Sequence, residues 1–110
     1  MGADLYIPSI KNDREKGYFR DSYNDTSLLW FLGMSWWESP YIDKKGFISP
    51  KNAQAFADDL RHREPVKNVR EIRSISHDDG EEWDKYFMEK HQKLIAFLER
   101  AAALNEAIEA

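Results

Sequence analysis

The stretch from Gly17 to Trp37, GYFRDSYNDTSLLWFLGMSWW, most constrains what this chain can fold into. It holds seven of the fifteen aromatic residues and three of the four tryptophans, Trp30, Trp36 and Trp37. A polar string, Arg20, Asp21, Tyr23 and Asn24, leads straight into the apolar run Leu28–Met34. Rings in that number have to be largely removed from water, so the core is expected to assemble around this segment. Asn24 or Asp25 suits a helix N-cap, after which Thr26 to Trp37 reads as helix. Leu28, Leu29, Trp30, Phe31 and Leu32 then point to every side, the pattern of a helix buried on most faces. Leu and Met outnumber β-branched residues here, which disfavours a buried strand. Ser39-Pro40 ends the element.

The rest of the chain reads as ordinary helix around that centre. Leu5, Tyr6 and Ile7 suit a short strand, but no second convincing strand stands out to pair with it, so residues 1–16 read as an arm and loop. Between Pro40 and Pro50 lies a turn centred on Lys45-Gly46. Ser49 as cap and Pro50 at the first helical position open an amphipathic helix over residues 49–64, with Ala53, Phe56, Ala57 and Leu60 on one face. Residues 66–77 fit a short helix or an irregular packing segment. Asp79-Gly80-Glu81-Glu82 has the form of a capping box and opens a long C-terminal helix over residues 80–108. Its apolar seam runs Trp83, Phe87, Leu94, Phe97, Ala101, Leu104, Ile108, broken only by Lys90. Ile95 and Leu98 widen that seam, which points to cover by a second copy or a partner. The expected fold is therefore a single all-α domain: a buried central helix within residues 17–39, an amphipathic helix and a long C-terminal helix.

Composition narrows the chemistry. The chain has no cysteine, so a disulfide framework, a thiolate nucleophile and Cys-ligated zinc are ruled out. A net charge of −4 argues against general binding to phosphate backbones. The longest apolar run is far shorter than the roughly 20 residues of a membrane span, and the N-terminus lacks the basic flank of a secretory signal, so the cytoplasm is the expected location. The turn Tyr41–Asn52 has Gly46 where a calcium loop needs glycine, but Tyr41, Lys45 and Asn52 stand where it needs carboxylates, the last a bidentate glutamate. His62, His77 and His91 form no ligand pair, and no serine is marked as a nucleophile. No catalytic residue, metal site or cofactor is expected. Two charge runs remain, one basic at Arg61–Arg73 and one acidic at residues 78–84, which suit pairing with each other or with solvent.

The candidate binding residues are Tyr18, Arg20, Asp21, Tyr23, Asn24, Trp36 and Trp37. Arg suits bidentate contact with anions and stacking on rings, and Tyr, Trp and Arg dominate binding hot spots. Consecutive tryptophans on a helix point about 100° apart, so Trp36 and Trp37 cannot share one core site. The bland alternative is a core in which Trp30 and Phe31 pack and an Arg20–Asp21 network closes the start of the helix.

MGADLYI at Met1–Ile7, GYFRDSYN at Gly17–Asn24 and LGMSWW at Leu32–Trp37 resemble a family of small bacterial and phage proteins without a settled function. That resemblance implies a prokaryotic or phage cytoplasm and transfers no catalytic residue. Other members have a longer helical stretch before the GYFRDSYN segment, here reduced to PSIKNDREK. The leading expectation is a non-enzymatic protein–protein binding module, which the phage resemblance narrows to an inhibitor or modifier of a bacterial host protein, for instance a defence factor. The alternative is a module that holds a nucleotide-like anion through Arg20 and the aromatic cluster. A homo-oligomer through the C-terminal helix is a separate expectation.

Overall fold

The chain is not all-α. The structure, a computed structural model, describes residues 2–22, 28–36, 38–63 and 80–110, and these form a four-stranded antiparallel sheet with three helices. The strands are β1 (Gly2–Tyr6), β2 (Tyr18–Ser22), β3 (Phe47–Ile48) and β4 (Ile108–Glu109), in the order β2-β1-β4-β3. The helices are α1 (Leu28–Phe31), α2 (Pro50–Arg61) and α3 (Gly80–Ala103). Expectations for Tyr23, Asn24, Trp37 and residues 66–77 fall outside the described residues.

The overturned expectation was that the N-terminal arm lacked a strand partner. Its partner is Tyr18–Ser22, paired from Gly2↔Ser22 to Tyr6↔Tyr18. Ala3, Leu5 and Ile7 are buried, while Asp4 and Tyr6 face the other way, the period-2 pattern of a half-covered sheet. β2 follows the same alternation, with Phe19 and Asp21 inward and Arg20 outward. Pro8–Ile10 forms a 3-10 turn between the two strands. Gly17 is required where the chain comes back: a Cβ there would stand 1.9 Å from the Ile10 carbonyl oxygen.

The central helix is also shorter than its apolar content suggests. α1 has four residues, ends at Phe31 and is followed by Gly33, whose φ is 74°. The Met34 N–H donates to the Leu29 carbonyl (2.8 Å) and the Gly33 N–H to the Trp30 carbonyl (3.1 Å). Those two bonds are a Schellman stop, in which glycine takes the left-handed position without a Cβ penalty. Leu28, Leu29, Leu32 and Trp36 are nevertheless all buried, so these residues are core although residues 32–36 are not helix.

α2 agrees closely with its signals. The Ser49 hydroxyl accepts from the Asn52 N–H (3.1 Å), Pro50 opens the helix, and Ala53, Phe56, Ala57 and Leu60 are buried. The helix stops at Arg61, somewhat before residue 64. α3 packs along α2, and its 24 residues, at 1.5 Å each about 36 Å, run most of the longest 42 Å dimension. Ile95 and Leu98 are buried within the chain, which removes the reason for assigning them to a second copy.

α3 ends at Ala103 and not at residue 108. Asn105 adopts φ 54°, with the Glu106 N–H donating to the Ala101 carbonyl and the Asn105 N–H to that of Ala102, both at 3.1 Å. This second Schellman stop turns the chain so that Ile108, buried as expected, is a strand residue between β1 and β3. Glu106 then ties the turn to the N-terminal segment by accepting from the Ser9 N–H (3.1 Å) and hydroxyl. No helix among the described residues is long and apolar enough to cross a membrane.

Candidate functional site

Two groups of charges meet where β2 lies beside α3, and they differ in character. The first centres on Asp21, which is 1% exposed. Its Oδ1 accepts from the Leu28 N–H (2.9 Å) and the Lys90 ammonium (2.9 Å). Its Oδ2 accepts from the Leu29 N–H (3.3 Å) and the Trp36 indole N–H (2.7 Å). The carboxylate thus answers two unpaired donors at the start of α1, a side-chain donor and a cation at once. Lys90, the break in the apolar seam of α3, is there because its ammonium reaches this buried charge. Sequence reasoning takes Asp21 as a candidate binding residue or as part of a network with Arg20 at the helix entry. The structure buries it with Lys90 as its cation, while Arg20 lies by Asp4, and the interrupted seam was the available signal for Lys90.

Trp36 belongs to this group and not to an open pocket. It is 5% exposed, and its ring meets Phe56 edge-on at 5.9 Å. Phe56 in turn stacks on Tyr41 at 4.7 Å. Tyr41 donates to Asp59 (2.7 Å), which also accepts from the Arg63 guanidinium (2.9 Å). Burial pushes the Asp59 carboxyl up, but the hydrogen bonds from Tyr41 and Arg63 outweigh it and hold the group below the usual carboxylate range. Burial first, and then the bond to Asp59, raises the Tyr41 hydroxyl above its ordinary value.

The second group lines a groove of about 630 Å³ between β2, the loop before it and α3. Arg14, Arg20, Lys90, Lys93 and Arg100 contribute five cations to its walls, against the carboxylates of Glu15 and Glu89. Lys90 is taken by Asp21, which leaves four against two. Arg20 is largely exposed and stands 3.7 Å from Asp4. Arg100 donates to the Lys16 carbonyl (3.0 Å). The side chains of Arg14 and Lys93 make no ion pair or hydrogen bond among the described residues. The floor is apolar: Phe19 and Phe97 are buried, with ring centroids 6.1 Å apart.

Of the expected site residues, Tyr18 and Arg20 line this groove, whereas Asp21 and Trp36 lie inside the protein. The Tyr18 hydroxyl donates to Asp4 (2.5 Å), a bond that raises its pKa above the ordinary value, and its ring lies 5.0 Å from that of Tyr6. Sequence reasoning missed Arg14, Lys93 and Arg100, which are scattered among polar residues and meet only once β2 is laid beside α3.

The turn that resembles a calcium loop has a structural role. Asp43 Oδ1 accepts from the Lys45 and Phe47 N–H groups (2.8 and 3.0 Å), and Gly46 takes φ 86°. His91 contacts the Leu60 carbonyl and His62 the Asp58 carbonyl, each at 2.7 Å. Among the described residues no three side chains are grouped as metal ligands. No protein-family model, curated protein or solved structure matches this chain, so its site is read from its own geometry.

Proposed function

We propose that the chain is a protein-binding module that acts by contact and not by catalysis, with the groove between β2 and α3 as its binding surface. The observation that carries this reading is a reversal of charge. The chain has 16 basic and 20 acidic residues, yet the groove, Lys90 aside, gathers four cations against two carboxylates. Lysine and arginine placed over an apolar floor favour an anionic partner and speed its approach. In a phage-infected or bacterial cytoplasm, such a module suits the inhibitor or modifier of a host protein.

The test is capture from bacterial lysate by the parent chain and by the Arg14→Glu/Lys93→Glu double variant, read by quantitative mass spectrometry. A protein retained by the parent and depleted at least about tenfold with the variant, the equivalent of about 1.4 kcal/mol, supports the reading. Equal retention by both contradicts it.

A second reading, a nucleotide-like small anion held by Arg20, draws on the groove volume, which lies in the range of small-ligand sites. It has less support, because Phe19 and Phe97 are buried and Trp36 is occupied inside the protein, so none of these rings is open to a base. A nucleotide that binds only the folded chain must raise its melting temperature, and no shift at millimolar nucleotide removes this reading. Self-association through α3 is a separate proposal, supported by Met88, which is 68% exposed. A constant monomer mass in sedimentation at rising concentration removes it.

A further inference from the structure

We infer that the groove takes its partner as an added strand: an extended acidic segment of another protein pairs with the outer edge of β2. This inference rests on the binding reading above and narrows it to one kind of occupant. β2 is the terminal strand of the sheet, and among the described residues no strand lies beyond it. The Ile7 N–H donates to the Gly17 carbonyl at 3.0 Å, which fixes the alternation along the pair. The Gly17 carbonyl and the backbone groups of Phe19 and Asp21 face β1, the Gly17 N–H being taken by the Asp13 carbonyl (2.7 Å), and Tyr18 and Arg20 direct theirs toward the outer edge. That edge carries no proline, and its five residues give it a length of about 17 Å. It borders the groove, with α3 as the opposite wall. An open strand edge beside a helix is the geometry in which extended peptides bind: main-chain hydrogen bonds supply affinity and the groove walls supply specificity.

Charge selects the occupant. A strand laid along β2 presents one set of alternate side chains to Lys93 on the α3 side and the other set to Arg20 on the opposite face, so carboxylates find a cation on either face and lysines are repelled. A second copy of β2 does not fit this demand, because Tyr18–Ser22 carries one cation and one carboxylate. Asp21, a charge on the inward face of an edge strand, is also a recognised device against indiscriminate edge pairing.

The probe is a capped hexapeptide of alternating glutamate and valine, added to the isotope-labelled chain at low ionic strength and followed by nuclear magnetic resonance. Its fully N-methylated counterpart keeps the side chains and charge but loses every backbone donor. We expect the first peptide to slow amide exchange at Tyr18 and Arg20 at least about tenfold. The N-methylated peptide should bind at least about tenfold more weakly, and a lysine–valine peptide should not protect either amide. Equal binding of the two glutamate peptides, without protection at Tyr18 and Arg20, overturns strand addition. So does the absence of any binding. Either result leaves the capture experiment standing as the independent test of the groove as a binding surface.

Discussion

Lys90 and Lys93 stand one helical turn apart on α3 and do opposite things. Lys90 turns inward, where its ammonium meets a carboxylate that is almost wholly removed from water. Lys93 turns into an open groove and finds no partner there among the described residues. The same contrast separates the two faces of β2: Asp21 faces inward with four donors on its two oxygens, whereas Arg20 faces outward, 3.7 Å from Asp4. A charge built into a fold is recognised by how completely it is answered. A charge held for a partner is left open.

Substitutions can break this comparison, and the largest effect should come from Asp21→Ala. It takes the buried carboxylate from the Lys90 ammonium, from two N–H groups at the start of α1 and from the Trp36 indole N–H, so a loss of about 3–5 kcal/mol is expected in urea unfolding. Trp36→Phe keeps most of the ring but removes one donor to the carboxylate, and should cost about 1.5–3 kcal/mol. The acid limb of stability offers a smaller effect through Asp59. Its carboxyl is held below the ordinary range, so its contribution is complete above that range and is lost as pH falls through the lowered folded value. Asp59→Asn should therefore flatten the stability–pH curve below about pH 4 relative to the parent. The smallest effect belongs to the Arg14→Glu/Lys93→Glu pair, which should change stability by no more than about 0.5 kcal/mol while abolishing capture through the groove.

Particular residues explain why half of this arrangement was legible in the sequence. Ser49-Pro50 and the spacing of Ala53, Phe56, Ala57 and Leu60 announced α2, because cap and periodicity agree there. At β1 only Leu5, Tyr6 and Ile7 suggested a strand, and without a visible partner they read as an arm. Its partner was hidden, since β2 places Asp21 at an inward position where an apolar residue marks a strand. A buried acid on that face made the segment look like a polar approach to a helix. Gly33 and Asn105 are stop signals that the apolar residues around them outweighed, Leu28–Leu32 with Trp36 beside the first and Leu104 with Ile108 at helical spacing beside the second, which carried α1 and α3 too far. β4 is only two residues long, too short for any pattern. The groove was illegible for another reason: its cations come from a loop, a strand and a helix, and only the sheet order brings them together.

Lys90→Met and Lys93→Met, each unfolded in urea beside the parent chain, test the central contrast most directly. Lys90→Met is expected to lose about 1.5–3 kcal/mol, because Asp21 gives up a charged hydrogen-bond partner in a buried site. Lys93→Met is expected to stay within about 0.5 kcal/mol of the parent. Equal losses, or a larger loss for Lys93→Met, would contradict the assignment of one lysine to the fold and the other to a partner.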